Sequence, residues 1–386
     1  MPKRISLFLF PLFFLLLNSA SGKEVSSEKA KKAGLHFLYL RSHFAPGRIK
    51  IWQKAKLKEP TIYYDLPGNK TTYCFEVEKK EKSLGYIMVS SHKEASPIQE
   101  FSLLPPPHQR YLTDCKDDLQ KYLLSHKIKG DLEEPTFLYI CPGIYFFKFS
   151  LSDNSGRRVL FVEMRSNTVI PQLKIFSYPG SGREDQSWNI LEKPIFFLKS
   201  DYSSLTNFRS LPFFISSHPT SAAMILNYWN LRRADEPEKA FIGEIANYIA
   251  TCGCGKKEEV LELAKGIKSF SALRGYQLKI KEYCKESTFK RERITFAEFK
   301  EEIEKKRPLL LCLTAAGNSS RNLSSAKRAP FITCVPALGY LIDKTGRYLI
   351  VQEESFMPAS PISFYNWNNI ANNFILITLQ KPERIK

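Results

Sequence analysis

Between Ser27 and Phe44 the apolar residues Ala33, Phe37, Leu40 and Phe44 recur at helical spacing with Lys and Glu between them, which predicts an amphipathic helix. The pattern then changes to short apolar runs of strand type. Residues 72–77 and 84–89 read as strands, and the charged turn Lys79-Lys80-Glu81-Lys82 between them predicts an antiparallel hairpin. Ser96-Pro97-Ile98 and Phe101-Ser102 close this unit, and Pro105-Pro106-Pro107 marks a boundary. Beyond it a short helix is expected around residues 114–124, then strands over 137–141, 144–151 and 159–164. Asp153-Asn154-Ser155-Gly156 supplies the turn between the last two. Residues 178–187 are polar and rich in Gly and Ser, the composition of a linker.

From Trp188 onward helices come first and strands last. Residues 219–230 form a helical run with Pro219 in its first turn and Ser217-His218 just before it. Further amphipathic helices are expected over 241–250, 258–270 and 296–306. The last runs into Arg307-Pro308 and the buried-strand run 309–313, and residues 331–338 and 348–352 read as closing strands. Helices followed by an antiparallel sheet make an α+β layout.

The N-terminus follows neither pattern. Lys3 and Arg4 precede an unbroken apolar run over 5–17, and Asn18-Ser19-Ala20-Ser21-Gly22 then offers small residues for cleavage. This three-part layout is that of a secretory signal peptide over 1–22, so export is expected, to the exterior, a periplasm or the cell envelope. An uncleaved N-terminal anchor is the rival reading. No later run approaches a membrane-spanning length, and no transmembrane segment is expected in the mature chain.

The formal net charge is +18, and removing Lys3 and Arg4 leaves +16. Such a surface attracts anionic partners, among them anionic envelope polymers, unless it is simply a solvated basic face. The basic residues are scattered and form no aromatic-interleaved stripe, which argues against nucleic acid. Eight cysteines in an exported chain raise the question of disulfides. Cys74, Cys115, Cys141, Cys284, Cys312 and Cys334 are isolated in sequence, several within apolar runs that suit a buried thiol. The close pair Cys252-Gly253-Cys254 has no His or second Cys pair near it and reads as a loop feature, so neither metal nor cofactor is expected. Connectivity stays open. Asn69-Lys70-Thr71, Asn318-Ser319-Ser320 and Asn322-Leu323-Ser324 fit the glycosylation acceptor pattern, from which no conclusion is drawn.

The run Ser217-His218-Pro219-Thr220-Ser221-Ala222-Ala223-Met224-Ile225-Leu226-Asn227-Tyr228-Trp229 resembles the nucleophile helix of the bacterial papain-fold peptidases related to the bacteriocin-processing (double-glycine leader) cysteine peptidases, which opens Cys-Gly-Pro-Thr-Ser. Residues 245–251, the stretch Thr295-Phe296 to Arg307-Pro308, and Gly339-Tyr340 with Tyr348-Leu349-Ile350-Val351 resemble later blocks of that family in the same order. The resemblance covers most of the chain from Lys193 onward and implies a papain-like fold over 188–386. More loosely, residues 27–102 resemble the prosegment or inhibitor domain of the streptopain family, an unrelated small α+β domain being the rival. The expected division is then 1–22 signal peptide, 23–105 prosegment-like α+β domain, 106–187 β-rich domain and linker, and 188–386 peptidase-like domain.

In that family a thiolate gains from the positive end of its helix, a His on the facing strand takes the proton, a carboxylate orients the His, and a Gln donates to the oxyanion. Each position is altered here. Ser217 stands at the nucleophile position, Lys199 at that of the oxyanion Gln, and Thr333, in the run Ala329-Pro330-Phe331-Ile332-Thr333-Cys334-Val335, at that of the base. Glu353, or its neighbour Glu354, takes the orienting carboxylate. Ser217 as a nucleophile needs a stronger base than a thiol does, and a helix cap at Ser217 or His218 is the competing reading. Three functions therefore stay open: a catalytically degenerate, exported protein binding a peptide or protein, a hydrolase using Ser217 (with Lys199 as an alternative base), and a basic envelope adhesion protein.

Overall fold

In the computed structural model, the described residues are 24–44, 47–153, 156–171, 173, 184–192, 199–206, 208–212, 217–250, 259–284, 292–314, 332–353, 362–370 and 374–385. The segment read as a signal peptide, most of the linker, and the pair Cys252 and Cys254 lie outside them. The described residues form a mixed α+β structure, with seven α-helices and one large sheet among them. No helix among the described residues is long and apolar enough to cross a membrane.

The helices are α1 (Ser27–Phe44), α2 (Pro107–Ser125), α3 (Ser187–Glu192), α4 (Ser217–Tyr228), α5 (Glu238–Ala250), α6 (Glu259–Leu273) and α7 (Phe296–Glu304). The principal strands are β1 (Thr61–Tyr64), β2 (Lys70–Lys79), β3 (Lys82–Ser90), β4 (Ile98–Ser102), β5 (Thr136–Cys141), β6 (Ile144–Asp153) and β7 (Gly156–Glu163). In the second half come β8 (Asp201–Ser204), β9 (Ile280–Cys284), β10 (Leu309–Thr314), β11 (Ile332–Asp343), β12 (Gly346–Gln352), β13 (Ile362–Asn366) and β14 (Phe374–Leu379).

Helix α1 spans the predicted residues and buries Ala33, Phe37 and Leu40. The β2–β3 hairpin closes at Lys79↔Lys82, and Lys80 and Glu81 take φ of 51° and 62°, the left-handed pair that matches strand twist in a two-residue turn. Helix α2 starts earlier than the apolar spacing indicates, because Pro107 enters as its first residue with Pro106 at the cap. Helix α7 opens on a reciprocal capping box between Thr295 and Glu298.

The sheet runs continuously through all of these parts. Strands β7, β6 and β5 are antiparallel neighbours, and β5 meets β1 in parallel at Leu138↔Tyr64. The order continues β1–β2–β3–β4, crosses to the C-terminal half at β4–β13, and runs on through β12 to β11. One edge of β11 pairs first with β10 and then with β8, and β10 leads on to β14 and β9.

Both faces of the C-terminal strands are covered. Leu310, Cys312 and Cys334 face α4, α5 and α6 on one side, while Leu309, Leu311, Leu313 and Val335 face α7 and the β5–β6 hairpin on the other. That double burial explains the unbroken apolar run at 309–313. A third core joins α1 and β2–β4 to Leu341, Tyr348, Ile350 and Phe364. Here Arg41 of α1, fully buried, bonds Asp343 and Thr345 (Nη2 to Oγ1, 2.8 Å) and stacks on Phe37, Phe101 and Tyr348.

Candidate functional site

Ser217 is the first residue of α4 and is 4% exposed. Its Oγ accepts a hydrogen bond from the Cys334 N–H at 3.2 Å and another from Thr333 Oγ1 at 3.4 Å. One turn later Ser221 Oγ donates to the Cys334 carbonyl at 2.8 Å. Residues four apart on a helix share a face, so Ser217 and Ser221 together hold both backbone groups of one residue of β11. Thr333, the position assigned to the base, is thereby brought beside the position assigned to the nucleophile.

Cys334 is also covalently held. It stands opposite Cys312 in the antiparallel β10–β11 register and forms a disulfide with it. The sequence left the pairing of these cysteines open; directly opposed residues of adjacent strands project to the same face, here the one that packs on α4. Cys74, Cys115 and Cys141 are buried.

Nothing described at this corner is a base. A serine nucleophile must hand its proton to an acceptor within hydrogen-bond reach, and Ser217 Oγ is met by an amide N–H and a hydroxyl. Burial pushes the His218 imidazole down to about 4, so the ring is neutral near pH 7 and a weak proton acceptor. Among the described residues no hydrogen bond joins it to Ser217.

The structure separates Lys199 from this corner. Strand β8 pairs Asp201 with Ile342 and Ser204 with Gly339, so Lys199 precedes Asp201 at the far end of β11. Nine residue steps of strand separate Ile342 from Thr333, roughly 30 Å at a strand's rise. Lys199 is exposed there. Gly339 is required where β8 crosses, since a Cβ would meet the Ser203 carbonyl oxygen at 2.3 Å.

Glu353 follows β12, whose pairing of Val351 with Ala337 puts it level with Val335, close to Thr333 along the sheet. Its side chain serves another group. Arg110 of α2 donates to Glu353 Oε2 at 2.7 Å, Ser363 donates to Oε1, and Tyr365 OH reaches Oε1 at 3.5 Å. Burial alone raises this carboxyl, but the Arg110 and Arg165 guanidiniums and the Ser363 hydroxyl outweigh it and bring it down to about 2. Glu353 is therefore a buried, fully ionised carboxylate with Arg110 as its counter-ion.

A second buried carboxylate lies in the same junction. Glu100 of β4 stands directly opposite Tyr365 of β13. Its Oε1 accepts from Tyr86 OH at 2.7 Å and from Tyr145 OH, and its Oε2 accepts from the Gly143 N–H at 3.0 Å. Burial raises this carboxyl to about 7 against the opposing pull of the two tyrosines. Gly143 has φ 81° at the β5–β6 turn, and a Cβ there would meet Tyr365 OH at 2.7 Å. Sequence reasoning reached Glu353 and missed Arg110 and Glu100. Each stands in a polar stretch that reads as solvent-facing, and the only usable signal was the charge of Glu100 inside the short run Ile98-Gln99-Glu100-Phe101.

Two surface grooves, of about 370 and 460 Å³, lie beside Trp188 with Lys29 and Lys32, and beside α6 with Lys265 and Lys268; neither is lined by Ser217, Thr333 or Glu353. Among the described residues no cluster of three or more His, Cys, Asp or Glu is placed to hold a metal ion. Neither a protein-family model nor a curated protein sequence matches the chain.

Proposed function

We propose that this is an exported, peptidase-like protein related to the papain fold that binds a peptide or protein without cleaving it. The observation that carries the reading is the use made of Ser217: its hydroxyl is buried and accepts two hydrogen bonds from the strand that should supply a base. A helix start held against a sheet strand is the framework the papain-type resemblance implies. The acid–base chemistry is what the described residues there lack. Ser217 acts as an anchor of α4, Thr333 and Cys334 as its seat, and Glu353 as the counter-ion of Arg110.

The test is capture of peptides from a random-sequence mixture by the purified mature chain, with the masses of eluted peptides measured. Intact peptides enriched above a control protein support binding without turnover. Truncated peptides, or no enrichment at all, overturn the proposal.

A further inference from the structure

Strand β9 is the last long strand at one end of the sheet. On one side it pairs with β14 from Ile280↔Leu379 to Cys284↔Ile375, and the same ribbon continues as Tyr276↔Arg384 and Gln277↔Glu383. On its other side the only described pairing is with residues 292–293, which reach Tyr283 and Cys284. Residues 276–282 therefore present one open edge among the described residues. The Gln380 N–H bonds the Lys279 carbonyl at 3.1 Å, so the backbone groups of Lys279 face the β14 side. Alternation then turns the N–H and C=O groups of Leu278, Ile280 and Glu282 outward, and no described group bonds them.

This edge borders the larger of the two grooves, about 460 Å³, which runs between it and α6. The floor is apolar, with Ala264 and Leu278 buried and Ile280 half-buried. The rim is basic: Lys265 and Lys268 of α6 and Lys279 of the strand are all exposed. Lys281 carries the charge further along the strand. Lys279 stands 3.9 Å from Glu383, and the other three lysines have no ion pair with a described residue.

We propose that this edge takes up an acidic, extended peptide segment as an additional strand. The outward backbone groups supply main-chain hydrogen bonds that set the segment's register. Its side chains that point toward α6 lie over the apolar floor, with Lys265 and Lys268 at the rim. Those that point away lie beside Lys279 and Lys281. Lysine on an edge strand also sets the choice of occupant. A second copy of the chain would bring like charges face to face across the new ladder, on a protein of net charge +18. A negatively charged segment turns the same repulsion into attraction. The strand addition rests on the proposed binding of a peptide or protein and specifies its place and charge.

Fluorescence polarisation with the purified full chain tests this, using a labelled short peptide that alternates Glu with Thr. Saturable binding is expected, weakening as salt rises. The same peptide with every backbone amide N-methylated keeps its charge but loses the donors of the ladder, and should bind about tenfold more weakly or worse. Lys265→Glu combined with Lys268→Glu, both at exposed positions, should weaken the unmodified peptide by about tenfold, two attractive pairs becoming repulsive. Equal binding of the methylated peptide overturns the proposal, since charge alone would then hold it. So does undiminished binding by the double variant, or no binding of the unmodified peptide to wild type. Capture from the random-sequence mixture separates this edge from the broader reading. Intact peptides captured equally by wild type and the double variant leave peptide binding standing and remove the edge as its place; no capture by either removes both.

Discussion

The Ser217 corner and the Glu353 junction hold two of the positions that the papain-type resemblance assigns to chemistry, and the two are held in opposite ways. At Ser217 all members are neutral, and their remaining contacts are hydrogen bonds to backbone and hydroxyl groups. At Glu353 an ionised carboxylate is paired with an arginine from a distant part of the chain. The first corner is held by neutral hydrogen bonds, and the second by a buried ion pair. Arg110, Ser363 and Tyr365 together satisfy the Glu353 carboxylate, whereas the Ser217 hydroxyl serves as an anchor for Cys334.

The sharpest way to break this contrast is to remove the counter-ion. Arg110→Ala strands Glu353, which is 1% exposed, and should cost about 3–5 kcal/mol in chemical denaturation, the range for breaking one partner of a buried pair. The pH dependence follows from the lowered carboxyl. Glu353 contributes stability above the ordinary carboxylate range and loses it as pH falls toward about 2, so Arg110→Ala should flatten that acid limb. A loss under 1 kcal/mol with an unchanged acid limb would show that the pair matters little. Next in size is the disulfide behind Ser217. Replacing Cys312 and Cys334 together by Ser should cost about 3 kcal/mol, as expected for a loop of this length. Hydrogen exchange should quicken mainly at the start of α4. Equal quickening throughout the sheet would mean that the bond does not act through the Cys334 anchor.

The sequence reveals the layout of this fold well and its polar interior poorly, for one physical reason. Apolar periodicity reports which residues must leave water, and it recovered α1, the β2–β3 hairpin, α4 and the buried strand at 309–313. It does not report which polar face a second layer will cover. Glu100 and Arg110 read as surface residues because a half-buried strand or helix usually gives its polar side to solvent. Here the β5–β6 hairpin and the C-terminal sheet cover that side. Thr333 and Ser217 were brought together by the family resemblance alone, since their flanking runs fix a strand and a helix but not that the two meet. Lys199 was not, since the position of β8 along β11 is set by the close approach at Gly339, which residue spacing does not encode. Cys312 and Cys334 looked isolated because pairing across strands depends on register.

Ser217 decides the central claim, although its own energetic share is the smallest: Ser217→Ala should cost only about 1 kcal/mol, the worth of an ordinary hydrogen bond. The direct measurement is labelling of the purified protein by a serine-directed fluorophosphonate probe, read by mass spectrometry in wild type and in Ser217→Ala. The account predicts no adduct on Ser217, because its hydroxyl is buried, accepts from Cys334 and Thr333, and meets no base among the described residues. An adduct on Ser217 in wild type that disappears in Ser217→Ala would contradict it and make the protein a serine hydrolase.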